Sequence, residues 1–287
     1  SIRRQRQMCI RDRAGNTKRQ IKFITDFGTT CLHIIPSYAT RLAEVMYEEG
    51  IDPRKDTKLH TVCIGAEPHS EEQRKRIEQL LGVKAYNCFG MSEMNGPGVA
   101  FECTEQNGLH IWEDNVIVEI VDPVTLQPVP EGEVGELVLT TINREAMPLL
   151  RYRTRDLTCI LPGDCPCGRT HKRLARFKGR SDDMIILKGV NLFPIQIEKI
   201  LMQFKELGSN YLITLETIGN SDEMLIEVEL SDLFTDDYSA LQRLTKGITR
   251  QLKDELLLTP RIKLVAKGSL PTTDGKAVRV KDHRKLC

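Results

Sequence analysis

The chain has 287 residues, 40% hydrophobic and 28% charged, which suits one large domain or two ordinary ones. Forty-one Lys+Arg against 40 Asp+Glu leave a formal net charge of +1, so there is no electrostatic footprint for nucleic acid or an anionic membrane. No run approaches the ~18 consecutive apolar residues of a transmembrane helix, and no apolar segment follows the basic N-terminus as a signal peptide would require.

Nine cysteines, an odd number, fit a reducing, cytoplasmic compartment better than a disulfide framework. Residues 1–13 carry five arginines and no helical or strand periodicity. They resemble a translated sequencing-adapter tail and are set aside as non-native.

In chain order, residues 18–100 alternate helix and strand. Ser37 is placed to cap a helix running to Gly50, with Leu42, Val45 and Met46 on one face. Leu59 to Ile64 reads as a strand ending in the turn Gly65-Ala66-Glu67-Pro68. Ser70 and Gln73 form a capping-box pattern ahead of the stripe Ile77, Leu80, Leu81, which Gly82 ends. Val83 to Phe89 is the next strand. This alternation predicts a parallel sheet covered by helices.

From 108 to 160 the pattern turns β-rich. Val116 to Val121 and Gly135 to Thr141 are separated by turn residues, which predicts an antiparallel or barrel-like subdomain. Beyond Gly179 the predicted order is a strand at Met184–Leu187 and a helix at Pro194–Phe204. Strands at Tyr211–Leu215 and Met224–Leu230, a helix through Leu241, Leu244, Ile248 and Leu252, and a strand at Ile262–Val265 complete it. That β-α-β-β-α-β order is the split-βαβ pattern of a small α+β domain. The expected division is an α/β domain at 14–179 and a C-terminal domain at 180–287.

Several stretches carry chemistry. Tyr86 to Glu93 leaves a strand through a glycine turn that presents a hydroxyl and a carboxylate. Ligands of open α/β sheets bind at such strand ends, and Mg²⁺ favours oxygen ligands. In 151–156 the carboxylate of Asp156 suits paired ribose hydroxyls, with a surface salt-bridge cluster as the plain alternative. Gly179 to Asn191 takes a charged linker into an apolar strand and a glycine turn. Leu270 to Ala277 places Lys276 on a glycine-containing loop.

Taken in order, 89–103 (FGMSEMNGPGVAFEC), 109–114 (LHIWED), 151–158 (RYRTRDLT), 179–198 (GRSDDMIILKGVNLFPIQIE) and 270–280 (LPTTDGKAVRV) resemble the AMP-forming acyl-adenylate enzymes. The resemblance is specifically to phenylacetate–CoA ligases and runs from residue 18 to the end. It implies ATP-dependent ligation of an aryl acid to coenzyme A through an acyl-adenylate, with ATP, Mg²⁺ and coenzyme A as cofactors and co-substrates.

The resemblance also implies residue roles. Ala66, Glu67 and Pro68 would lie against adenine, with Tyr86, Asn87 and Phe89 nearby. Glu93 would hold Mg²⁺, and Ser92 would stand beside phosphate and acyl group. Asp156 would bind ribose, and Arg180 would reach ribose or phosphate. Asp182 would be the hinge of the small domain. Lys276 would stabilise charge during adenylation, and Gly189 would line the thioester-forming conformation. Family analogy favours a homodimer.

A departure from the family pattern is the lack of its Ser/Thr/Gly-rich phosphate loop. Gly28-Thr29-Thr30 is the one candidate and lacks the flanking glycines and lysine. The chain therefore reads as N-terminally incomplete and is expected not to bind ATP productively by itself.

Cys165-Pro166-Cys167-Gly168 forms a knuckle suited to Zn²⁺, with Cys103 and His110 as partners and His171 as an alternative fourth ligand. A set of reduced cysteines is the plain alternative. Two rival functions remain at this point: an adenylating enzyme for another acid or acceptor, and a non-catalytic ligand-binding module.

Overall fold

The structure, a computed structural model, describes residues 16–94, 96–219, 221–231, 238–271 and 277–284. The arginine-rich tail at 1–13 and Lys276 lie outside the described residues.

Helix α1 (Thr17–Asp26) and strand β1 (Cys31–Ile34) lead into α2 (Pro36–Glu48). Pro36 stands in the first turn of α2, where its missing N–H leaves no bond unmade. Ile35, not Ser37, is the N-cap. Ser37 lies inside the helix because its amide and hydroxyl are both donated to Glu67, 30 residues away. Leu42, Val45 and Met46 are buried, as the periodicity predicts.

After the short α3 (Pro53–Asp56) come β2 (Thr61–Gly65), α4 (Glu71–Leu81) and β3 (Lys84–Met91). The hydroxyl of Ser70 accepts from the Gln73 amide at 3.2 Å, and Gly82 closes α4 at φ 69°. The reciprocal half of the capping box is not made. The Ser70 amide donates instead to Glu198, 128 residues on, at 2.8 Å.

Strands β1, β2 and β3 pair in parallel, so their carboxyl ends share one edge. Helix α2 packs on α4, and α1 on α2. Beneath them Met46, Val62, Ile64, Ile77 and Leu81 form a dry core.

The β-rich region splits between two sheets. Strands β4 (Gly96–Glu102), β5 (Leu109–Ile111), β9 (Ile160–Leu161) and β10 (Arg173–Leu174) extend the parallel strands into a seven-stranded sheet, ordered β1-β2-β3-β4-β5-β10-β9. Strands β6 (Val116–Val121), β7 (Gly135–Thr141), β8 (Tyr152–Thr158) and β11 (Gly179–Arg180) form a four-stranded antiparallel sheet, ordered β11-β8-β7-β6. The bounds of β6 and β7 are those expected from the sequence.

The C-terminal region is α+β, but one strand is reassigned. The segment expected as its first sheet strand forms β12 (Ile185–Leu187), which pairs only with β13 (Val190–Leu192). Lys188 and Gly189, at φ 50° and 80°, make a two-residue hairpin turn. Such turns need positive φ at both positions and fold a strand straight back on itself.

Beyond the hairpin lie α5 (Pro194–Leu201), β14 (Leu207–Ile218), β15 (Ser221–Leu230), α6 (Tyr238–Leu256), β16 (Arg261–Val265) and β17 (Val280–Asp282). Helix α5 stops short of the expected Phe204. The four-stranded sheet runs β16-β15-β14-β17, with β17 parallel to β14 as the fourth strand. Leu244, Ile248 and Leu252 of α6, spaced four apart, bury against Ile213 and Ile226. Among the described residues no helix is long and apolar enough to cross a membrane.

Candidate active site

The parallel arrangement of β2 and β3 brings the turn after Gly65 and the segment Met91–Met94 to the same edge of the sheet. Gly65 is required there. A Cβ at this position would run into the Cys88 carbonyl oxygen, so any side chain would force β2 and β3 apart. Ala66 follows at φ 66°, a conformation that costs a residue with a side chain about 1 kcal/mol. Strain of this kind persists where neighbours over-determine the backbone.

Here the neighbour is Glu67. Its carboxylate accepts from the Ser37 hydroxyl at 2.9 Å, the Ser37 amide at 3.1 Å and the Ala277 amide at 2.8 Å. Pro68 is exposed beside it.

Along β3, the amide of Asn87 donates to Glu102 at 2.7 Å, and its side-chain amide reaches the same carboxylate at 3.4 Å. Burial pushes the Glu102 carboxyl up, against the pull of that amide and of Arg176. Phe89 stacks on Phe177 with centroids 4.4 Å apart. Tyr86 is half-buried, while Ser92 and Glu93 are exposed on a single helical turn. The Glu93 carbonyl accepts from the guanidinium of Arg144.

Asp156, Arg180 and Asp182 come together where β8 pairs with β11, in the register Arg180↔Asp156. Arg180 grips Asp182 with two bonds, at 2.9 and 2.8 Å, and stands 3.8 Å from Asp156. It also donates to the Thr154 carbonyl at 3.2 Å. The hydrogen bonds from Arg180 hold the Asp182 carboxyl below its usual range. Arg155, beside Asp156, sits at φ 70°. Three of the residues singled out from the sequence thus form one cluster. Gly189 lies apart, exposed at the β12–β13 turn, where Lys188 pairs with Glu223 at 3.0 Å.

Two further residues, Arg176 and Glu198, were not singled out from the sequence. Arg176 donates to Glu71 at 2.7 Å and to the His69 carbonyl at 3.3 Å, tying the start of α4 to β4 through Glu102 at 3.8 Å. Glu198 stands on the apolar stripe of α5, buried between the Ser70 amide and the Tyr211 hydroxyl, which donates to it at 3.1 Å. A carboxylate within an apolar stripe is the one cue that would have flagged it. Burial raises the Glu198 carboxyl, and the Ser70 amide works against that rise.

A second centre lies on the β-rich side. One ligand atom from each of Cys103, His110, Cys165 and Cys167 falls within 4.8 Å of the others. The Sγ atoms of Cys103 and Cys165 are 3.7 Å apart, and Cys167 Sγ is 3.4 Å from His110 Nε2. Tetrahedral Zn²⁺ with Zn–S of about 2.3 Å and Zn–N of about 2.0 Å requires ligand edges of about 3.8 and 3.5 Å. The residues therefore fit the ion.

Among the described residues it is His110 that joins the three thiols; the His171 carbonyl takes the Nδ1 proton of His110 at 3.3 Å, leaving Nε2 to face them. The amide of Arg169 draws the Cys167 thiol down to about 7, toward the thiolate a metal needs. Four protein donors leave no open position, so the site would be structural rather than catalytic.

The sequence matches the AMP-binding enzyme model over residues 4–143 and the AMP-binding enzyme C-terminal domain model over 189–284. The chain belongs to the AMP-binding enzyme family. It is similar to a phenylacetate-coenzyme A ligase of Thermus thermophilus, 42% identical over 94% of this chain and 64% of the relative. The chain thus spans less than two thirds of that relative's length.

Among solved structures, it superposes on a 2-hydroxyisobutyryl-CoA ligase in the postadenylation state, in complex with R3-HIB-AMP. The TM-score is 0.87 at 31% identity, over 94% of this chain and 58% of the other. Against 2-hydroxyisobutyryl-CoA ligase with 2-HIB-AMP and CoA in the thioesterification state, the TM-score is 0.57 at the same 31% identity, over 95% and 58% of the two chains. The chain therefore superposes more closely on the former structure than on the latter.

Proposed function

We propose that this AMP-binding chain is part of an acid–thiol ligase that activates phenylacetate or a related aryl acid as an acyl-adenylate and transfers the acyl group to coenzyme A. The observation that carries the reading is the agreement of the whole described arrangement with a CoA ligase holding an acyl-adenylate, TM-score 0.87 over 94% of the chain. The aryl acid comes from the phenylacetate-coenzyme A ligase relative.

The chemistry explains the residues. A carboxylate attacks an anionic triphosphate only when charge is neutralised and oxygen is aligned with phosphorus. The turn Ala66–Pro68 and the faces of Tyr86 and Phe89 would hold adenine, with Asn87 fixing that strand. Asp156 would take the ribose hydroxyls, and Arg180, held against Asp182, would reach ribose or phosphate. Glu93, exposed on its turn beside Ser92, would bind Mg²⁺, whose charge lowers the repulsion between acid and triphosphate. Lys276 would supply the second positive charge. Asp182 would act as hinge toward a second arrangement in which Gly189 lines the coenzyme A path. Zn²⁺ at Cys103, His110, Cys165 and Cys167 would brace the β-rich side.

The reading includes domains at 14–179 and 180–287, and inactivity of the 287-residue polypeptide alone, since its sequence contains no Ser/Thr/Gly-rich phosphate loop.

ATP–pyrophosphate exchange with phenylacetate tests it, on this chain and on a form extended at its N-terminus to the length of its relatives. Activity confined to the extended form is expected. Lys276→Ala in that form should abolish exchange while sparing thioester formation from supplied acyl-adenylate. No exchange with any acid of a broad panel, in a folded extended protein, overturns the reading.

A further inference from the structure

The two halves of the molecule meet through a reciprocal pair of carboxylate-to-amide bonds. The turn 66–70, at the carboxyl end of β2, presents an acceptor and a donor. Its acceptor, Glu67, takes the Ala277 amide at 2.8 Å; its donor, the Ser70 amide, goes to Glu198 at 2.8 Å. Each half thus places a carboxylate on a backbone N–H of the other.

Both partners are anchored in their own half. Glu67 is held by Ser37 through two bonds, and Glu198 by the Tyr211 hydroxyl. Ala277 is fixed two residues later: the Arg279 carbonyl accepts from the Ile213 amide at 2.8 Å. The Arg279 guanidinium bonds Asn210 at 2.8 Å and lies 4.5 Å over the Tyr211 ring. Arg76 adds a third link, donating to the Leu207 carbonyl at 2.7 Å.

We infer that Glu67 and Glu198 are positioning residues that latch the C-terminal half in the arrangement seen here, with the turn 66–70 as the element both engage. Hydrogen bonds to charged acceptors are the strong kind, and they are lost together when one rigid body turns on another. A 2-hydroxyisobutyryl-CoA ligase in the thioesterification state matches this chain at a TM-score of only 0.57, against 0.87 for the postadenylation state.

The latch also locates a coupling. Ala277 directly follows Lys276 in the chain, so Glu67 holds the first described residue after that lysine. The turn itself holds adenine in the function proposed above. On that reading, which the catalytic part of the inference rests on, occupancy of the turn and closure of the C-terminal half favour one another.

The test has two arms. Amide hydrogen exchange is followed in this chain for Glu67→Ala, for the isostere Glu67→Gln, and for Ser37→Ala, which removes one hydroxyl bond to Glu67 without touching the contact between halves. Glu67→Ala should speed exchange at both Ala277 and Ser70 by about ten-fold or more, the factor that one hydrogen bond to a charged group supports. Glu67→Gln should show a smaller rise at the same two amides. The core amides of Val62 and Ile64 should be unmoved in both, and Ser37→Ala should leave Ala277 and Ser70 protected. Unchanged exchange at Ala277 and Ser70, or parallel acceleration of all amides, overturns the latch.

In the N-terminally extended form, Glu198→Gln, which weakens the latch from the side away from the adenine-binding turn, should lower pyrophosphate exchange several-fold and leave thioester formation from supplied acyl-adenylate intact. Equal loss of both overturns the positioning role. The expected amide pattern with no exchange activity for any acid in the parent protein would leave the latch standing and reject the proposed function.

Discussion

His69 closes the same turn and should make the fold sensitive to mild acid. It is buried, with Nδ1 3.1 Å from the Glu67 carbonyl oxygen. That partner can only accept, so Nδ1 carries the proton and Nε2 is left as a buried acceptor with no donor among the described residues. The surrounding charges are Arg176, Glu71 and Arg74. Burial, followed by the Arg176 guanidinium, draws the imidazole down from 6.5 to about 4.

Because the folded value lies below the unfolded one, protonation favours the unfolded chain. The contribution of His69 is intact above pH 6.5 and is lost progressively as the pH falls to about 4. At about 1.4 kcal/mol per pH unit, the interval from 6.5 to about 4 amounts to about 3 kcal/mol. That is a large share of the roughly 5–15 kcal/mol that stabilises an ordinary domain.

Carboxyls such as Glu102 and Glu198, raised by burial, act in the opposite sense, so the wild-type curve alone does not isolate the term. His69→Asn does. The asparagine amide nitrogen takes the place of Nδ1 and cannot acquire a charge. Urea unfolding followed between pH 7 and about 4 should show the two stabilities converging, or crossing, as acid is added. Two curves that fall in parallel through that window would refute the assignment.

Replacing Cys165 and Cys167 with Ser should remove bound zinc, read by elemental analysis, and lower the melting temperature. No metal in the parent and an unchanged melting temperature would reject the site. Gly65→Ala should cost about 1–3 kcal/mol in urea unfolding, because its Cβ collides with the Cys88 carbonyl oxygen. A stability equal to the parent would show that β2 and β3 part without penalty.

Much of this molecule was legible in its sequence wherever the signal was local. Ser70 and Gly82 mark both ends of α4, because an N-cap hydroxyl and a left-handed C-cap act within one turn of chain. Val116 to Val121 and Gly135 to Thr141 emerged with the expected bounds, since β-branched runs between turn residues leave few other conformations. The order of the motifs led to the AMP-binding family, whereas Asp156, Arg180 and Asp182, from two separate motifs, meet only in the fold.

What the tertiary structure alone decided concerns pairings between distant groups. Nothing near Ser70 in sequence says that its amide will meet Glu198 rather than Gln73, or that the Ser37 donors will turn to Glu67. The fourth strand of the C-terminal sheet is β17 rather than the segment 185–187, because the Lys188–Gly189 turn had already closed that segment into a hairpin. His110 rather than His171 faces the thiols for a similar reason: the β5–β10 pairing directs one ring inward and leaves the other residue to offer its carbonyl. A backbone donor or a ligand atom accepts any partner of the right chemistry. Which partner arrives depends on how the hydrophobic cores dock, and that choice is spread over the whole chain.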